Sequence, residues 1–294
     1  MAETAAGWID IHAHGGGGGS VEDGLEGIRR MLDAHAAHGT ARMVLSLVSN
    51  PVPELAASLA TIREAAAGDA RIAGAHLEGP FLSPGRAGAH DPARLLAPDP
   101  ATVETLIAAG EGVLRMVTLA PELPGAIDAI RRFAAAGVVV AIGHTEATAE
   151  VAHAAFDAGA TVLTHAFNAM PAITGREPGP LGAALADERV TIEVVADGVH
   201  VHPDNLRWLF RAAPGRIAAV SDAMAAAGAS DGRYRLGGLD VEVRGGRAVV
   251  AGTDRLAGST LTLAGAVEVL VAAGVPRAAA TAAATTTPAR ALAL

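Results

Sequence analysis

The chain has 294 residues, 51% apolar but only 3% aromatic, so a sizeable core is expected, built from Ala, Val, Leu and Ile. A net charge of −9 argues against a general nucleic-acid or anionic-membrane partner. With no cysteine, disulfides, thiolate catalysis and Cys–zinc sites are excluded, and all 22 basic residues are arginine. The start, MAETAAGWIDIHAHGG, has neither the basic nor the apolar region of a signal peptide. No apolar run approaches the ~20 residues of a membrane span, so a cytoplasmic protein is expected.

The first strand is expected over residues 8–14. It ends in His12-Ala13-His14. Positions i and i+2 share one face of a strand, so the two imidazoles converge, and the glycines of 15–19 leave room for a substrate. The bland alternative is a pair of core or surface histidines. A helix is expected over 21–38, a strand over 43–47, a helix over 54–67 and a strand over 71–77. Glu78 closes that third strand in His76-Leu77-Glu78-Gly79-Pro80. A carboxylate there is costly to bury unless it is paired or metal-bound. His76 shares its parity and reads as a hydrogen-bonded barrel histidine.

His90 falls in the loop after Glu78. A helix over 102–109, a strand over 113–119, a helix over 125–136 and a strand over 138–142 follow. His144 comes directly after that strand. Beyond a helix over 147–158, the strand over 161–165 ends on His165, with Asn168 and Arg176 in the next loop. A strand over 191–196 leads into Asp197-Gly198-Val199-His200, then a helix over 205–212. The eighth strand, 217–221, is followed by Asp222, which could also serve as an N-cap. Residues 229–253 break the rhythm with paired glycines and alternating runs, the pattern of a small hairpin insertion. The tail from Leu261 to Leu294 is Ala/Thr-rich and helical in pattern. His35, His38, His153 and His202 read as structural or solvated.

Strand alternating with helix implies a parallel sheet, and eight such units suggest a (β/α)8 barrel. A doubly wound open sheet is the alternative. In a closed barrel the eighth strand lies beside the first, so Asp222 can face His12 and His14. His, Asp and Glu donors suit Zn²⁺, Fe²⁺ or related ions. Such an ion acidifies water and polarises a carbonyl, and Asp222 is the natural general base. Arg176 suits a bidentate phosphate contact.

The stretches IDIHAHGGGG, AHLEGPFLSPGRAGAHDP, AIGHTEAT, THAFNAMPAITGREPG, VADGVHVHP, SDAMAAAG, LAGS and PAR resemble, in order, the N-acetylglucosamine-6-phosphate deacetylase family of the amidohydrolase superfamily. HLEGPF with THxxNAM and DGxHxxP is highly specific. The resemblance implies a metal-dependent barrel that hydrolyses the N-acetyl group of N-acetylglucosamine 6-phosphate to glucosamine 6-phosphate and acetate. It implies Glu78, His144 and His165 as ligands of a principal ion, Zn or Fe, and His12 and His14 as ligands of a second. Asp222 would be the acid/base. His200 would contact the sugar and help polarise the acetyl carbonyl. Asn168, the backbone at Ala169, and Arg176 would hold the phosphate, and His90 the sugar. The 256–259 loop, with Leu256 and Gly258, would line the acetyl pocket.

Some superfamily relatives bridge two metals through a carboxylated lysine. This chain has no lysine, which leaves Glu78 as the bridging carboxylate. The resemblance also implies a flanking β-sandwich domain, of which an insertion at 229–258 within the 1–294 barrel would be the remnant. GTDRLAGS carries extra residues relative to GTLAGS. A homodimer or homotetramer is expected. Alternative readings are a deacetylase of another N-acetyl amino-sugar phosphate, another amidohydrolase, or a non-catalytic sugar-phosphate binder.

Overall fold

A computed structural model describes residues 7–294. Residues 1–6, on which the reading against a signal peptide partly rests, lie outside the described residues. The apolar, often β-branched runs form eight strands: β1 Trp8–Ala13, β2 Thr40–Leu47, β3 Ile72–Glu78, β4 Leu114–Leu119, β5 Val139–Ile142, β6 Ala160–Leu163, β7 Thr191–Val195 and β8 Ile217–Val220. They form one parallel sheet in chain order. Beyond β8 the sheet curls back on β1: the Asp222 N–H donates to the His12 carbonyl (2.8 Å) and the His14 N–H to the Ala223 carbonyl (2.7 Å). The result is a TIM-type barrel.

Each crossover carries a helix: α1 Gly24–Ala36, α2 Val52–Gly68, α3 Pro100–Ala109, α4 Ala126–Ala135, α5 Ala149–Ala158, α6 Gly179–Ala186 and α7 Pro203–Ala212. Asp99 caps α3 by accepting the Ala101 and Thr102 N–H groups, and Thr148 caps α5 by accepting from Val151. The α6 segment, GPLGAALA, lies outside the helices expected from sequence. It opens on Gly-Pro, is short, and lacks the polar stripe that marks a surface helix. The tail forms α8 Leu263–Ala272, α9 Arg277–Ala283 and α10 Thr286–Ala291. Between β8 and α8 stands an antiparallel sheet of β9 Gly232–Leu236, β10 Leu239–Arg244 and β11 Arg247–Val250. Among the described residues no helix is long and apolar enough to cross a membrane.

Alternation splits the core in two. Outward residues such as Leu45, Leu77, Val117, Ile142, Leu163 and Val194 pack on the helices. Val44, Met116, Val162, Val195 and Val220 fill the barrel, with Leu292 and Leu294 packed against that cluster. Each fully buried Val, Leu or Ile contributes roughly 1.5–3 kcal/mol, against about 1–2 kcal/mol per residue of backbone order. The core of so Ala-rich a chain therefore has to be extensive. The other end of the barrel is polar. A bulge in β1 sets this up: Asp10 pairs with Met43 and Ala13 with Leu45, three residues of β1 spanning two of β2. The extra residue lets Ile11 join the inner apolar cluster while His12 still reaches the polar centre.

The strands stop one or two residues earlier than the sequence suggests at β1, β6, β7 and β8. The sequence placed His14, His165 and Ser221 inside them. The reason at β6 and β8 is local. His165 adopts φ 25°, and Asp222, after β8, adopts φ 48°. His144, after β5, has φ 47°. Left-handed backbone breaks the ladder and turns these side chains toward the axis.

Candidate active site

Glu78 sits at the centre, 3% exposed. Its Oε1 lies 3.1 Å from His144 Nε2 and 3.1 Å from His165 Nε2, and those two nitrogens are 3.1 Å apart. Its Oε2 lies 3.3 Å from His14 Nε2. His14 Nε2 is also 3.2 Å from His12 Nε2 and 3.3 Å from Asp222 Oδ1. One carboxylate thus faces two groups of donors. Two ligands on a tetrahedral ion at about 2.0–2.1 Å stand about 3.3 Å apart, close to the spacings here. Nitrogen lone pairs packed this near each other repel unless a proton or a cation lies between them. The donor set therefore fits divalent cations, with Glu78 placed to bridge.

Outer partners fix the rings. The His12 Nδ1–H donates to Glu193 Oε2 (3.0 Å), and the His144 Nδ1–H to the Arg86 carbonyl (2.7 Å). In the neutral ring each bond puts the proton on Nδ1 and leaves Nε2 as the lone pair aimed at the centre. Burial disfavours charge on His12, but Glu78 and Glu193 outweigh it and hold its pKa well above the ordinary histidine value. The same balance lifts His14 to about 9, through burial opposed by bonds to Asp222 and Glu78. Burial would raise the carboxyls, yet His12 and His144 keep Glu78 well below its usual range. The His14 bond and the His12 charge likewise bring Asp222 to about 2. The centre is a buried anionic cup that demands positive charge.

The cup opens into a cavity of about 350 Å³ lined by His14, Glu78, His144, His165 and Asp222, within the size range of small-ligand sites. Asn168, Ala169 and His200 line one side, and Leu256 and Gly258 another. Ala169 has φ 50° and follows Phe167 at φ 75°. Left-handed residues at alternate positions turn the N–H groups between them toward one concave face, a geometry that favours anions. Gly258 has φ 59°, and a Cβ there would lie 2.8 Å from the Asp222 carbonyl, so only glycine lets this loop approach the Asp222 turn. His200 lies behind Asp197, Nδ1 to Oδ2 2.7 Å.

Two residues are placed otherwise than the sequence suggested. Arg176 is exposed in the loop after β6 and is not among the cavity's lining residues. His90 lines the cavity, but both of its nitrogens are engaged. The Ser49 N–H donates to its Nδ1 (3.1 Å), which puts the proton on Nε2, and Nε2–H then donates to Glu78 Oε2 (3.1 Å). Burial holds the His90 pKa at about 4 despite Glu78. As arranged, this ring orients Glu78 and offers no free nitrogen to a sugar or a metal. His76 is bonded on both sides, to Ser46 and Thr118 (2.9 and 2.8 Å), as a barrel histidine.

Comparison with known proteins decides the lineage. A family model described as the amidohydrolase family matches residues 5–294. The chain belongs to the amidohydrolase family. It is 40% identical over 268 residues to the N-acetylgalactosamine-6-phosphate deacetylase of Escherichia coli O157:H7, covering 90% of this chain and 71% of that protein. It is 38% identical to the N-acetylglucosamine-6-phosphate deacetylase of Vibrio furnissii, covering 87% of this chain but only 65% of the relative. A variant of the Mycobacterium smegmatis N-acetyl-D-glucosamine-6-phosphate deacetylase, solved with N-acetyl-D-glucosamine-6-phosphate, superposes at TM-score 0.93. It has 47% identity, over 98% of this chain and 77% of that one.

Three residues of this amidohydrolase site escape a sequence reading. Glu193 is a fully buried acid inside the apolar run of β7, and that anomaly is the signal that could have found it. Asp197 orients His200. Arg86 supplies the carbonyl for His144. The His200 pKa is raised: burial lowers it, but the bond to Asp197 prevails. Removing that carboxylate leaves burial, the largest influence, against the charge of Asp222 alone, so the neutral ring is favoured. In Asp197→Asn the His200 pKa is expected to fall below the ordinary histidine value, read by NMR titration of its ring proton. An unchanged midpoint would mean Asp197 does not set it.

Proposed function

We propose that this amidohydrolase hydrolyses the N-acetyl group of N-acetylglucosamine 6-phosphate, giving glucosamine 6-phosphate and acetate. The observation that carries it is Glu78, whose two oxygens meet imidazoles from β1, β5 and β6, with Asp222 opposite, at the floor of a sugar-sized cavity. The names of the relatives support the substrate class.

Glu78, His144 and His165 would hold one divalent ion, Zn or Fe, and His12 and His14 with Glu78 a second. When bound, such an ion supplies Lewis acidity to the amide carbonyl and acidifies water. Asp222, held ionised, takes the proton of the attacking water as its oxygen adds to the acetyl carbon. It then passes that proton to the amine nitrogen as the C–N bond breaks. A carboxylate with a pKa near 2 is ionised at neutral pH and so is free to accept that proton. His200, steadied by Asp197, donates to the oxygen that gains charge. Asn168 and the Ala169 N–H hold the phosphate, and Leu256 and Gly258 flank the acetyl methyl. The enzyme would be cytoplasmic. Exposed Ile173 and Trp208, which line one apolar groove, support a homo-oligomer.

The 40% identity to a galactosamine-series enzyme favours a second reading, the C4 epimer as substrate. Acetate release should be measured on both phosphorylated sugars, with and without added Zn²⁺ or Fe²⁺. Metal-dependent release is expected, and the ratio of kcat/KM assigns the epimer. No release of acetate from either sugar by folded, metal-loaded protein would sink the deacetylase reading.

A further inference from the structure

We infer that Glu193 is a positioning residue that selectively strengthens the His12–His14 half of the centre for its ion, so that two ions rather than one are held. This rests on the two-ion arrangement proposed above and names the residue that sustains it. Glu193 is fully buried in the apolar run of β7, where a carboxyl group is costly unless it is paired. Its Oε2 accepts from the His12 Nδ1–H (3.0 Å), while its Oε1 is buried without a partner. The barrel thus keeps a half-satisfied acid in its interior, and the side chain that this acid engages is the His12 ring.

The four imidazoles around Glu78 are not equally backed. His144 donates from Nδ1 to the Arg86 carbonyl, a neutral acceptor (2.7 Å). Among the described residues, His14 and His165 have no partner at Nδ1. His12 is the one of the four whose outer nitrogen meets a carboxyl group. An imidazole that donates its outer N–H to a carboxylate is held in one tautomer and one orientation, and is a stronger ligand at its inner nitrogen. The reach crosses a strand: β7 carries Glu193, β1 carries His12, and β8 lies between them. Ala218 is the β8 residue paired with Glu193 and belongs to the inner cluster. Its single methyl leaves the carboxyl group a path over the inner face of the sheet. Glu193 Oε2 also lies 3.4 Å from the His165 N–H, a backbone contact that leaves the His165 ring alone. The effect therefore falls on one ion.

The test is Zn²⁺ binding to metal-stripped wild type, Glu193→Gln, His12→Asn and the double variant, by equilibrium dialysis with atomic absorption. Gln keeps the shape of Glu193 but offers one acceptor oxygen in place of two. Two ions per chain are expected in the wild type. In Glu193→Gln one dissociation constant should rise about 10- to 100-fold, the cost of losing an outer partner of a ligand, while the other holds. His12→Asn should lose the same ion, and adding Glu193→Gln to it should cost nothing further. Equal weakening of both ions would mark a general structural disturbance and overturn the assignment. So would a single ion in the wild type, or two unchanged constants in Glu193→Gln. Should that variant not fold, nitrogen-15 NMR of the zinc-loaded wild type decides. His12 bound through Nε2, with an Nδ1–H protected from solvent, supports the role, and binding through Nδ1 refutes it. None of these measurements depends on acetate release, so failure of the deacetylase reading and failure of this inference are told apart.

Discussion

Asp222→Asn is expected to lower kcat by about 10²–10⁴-fold, the usual contribution of a positioned acid/base, while metal content and thermal stability stay near wild type. The substitution suits the site. Asp222 holds φ 48°, a left-handed conformation that Asn adopts readily, and its backbone bond to the His12 carbonyl is untouched. What is lost is the oxygen that accepts a proton beside His14. KM should change little, since the proposed role of Asp222 is at the scissile amide and not at the sugar phosphate. A kcat within tenfold of wild type would show that some other group carries the proton.

Glu78→Gln should cost the protein its metal and its activity together. Among the described residues Glu78 is the one carboxylate within 3.5 Å of all four of His12, His14, His144 and His165. An amide offers one neutral oxygen in place of two charged ones, so affinity for a divalent ion collapses. Chelation of the wild type should mimic the variant thermodynamically. An ion present at 1,000 times its Kd stabilises the folded state by about 4 kcal/mol, so stripping it should lower Tm on the order of 8 °C. Added Zn²⁺ should restore Tm in the wild type and not in Glu78→Gln. Metal analysis and scanning calorimetry read both effects. Full metal retention in the variant would move the bridging role elsewhere.

The donor set was legible because barrel strands are short and five of them end on, or are soon followed by, a residue that is out of place in an apolar run. His12, His14, Glu78, His144, His165 and Asp222 could be found that way, and the structure brings all six within one cup. Strand parity explains His12 with His14, and His76 with Glu78. It does not explain His144, His165 and Asp222, which stand past the strand ends in left-handed conformations that no residue pattern announces. Long-range partners were also invisible. Nothing near residue 193 in sequence says that Glu193 meets His12, 181 positions away. His90 was legible as a site residue but not in its orientation, because the Ser49 N–H that fixes its tautomer lies on a different loop. Arg176 invited a phosphate role from its polar, glycine-rich loop. Whether a loop residue reaches the cavity depends on how that loop folds, which composition does not encode.

The metal-ligand and acid/base residues are shared evenly along the chain. The segment through β4 carries His12, His14 and Glu78, and the segment from β5 onward carries His144, His165 and Asp222. Cutting the gene between the two, in the loop before α4, would yield two fragments of which neither holds a complete set of donors. Catalysis by such a pair would then report their reunion, so this barrel is suited to serve as a split reporter whose signal appears only when both halves close around the ion.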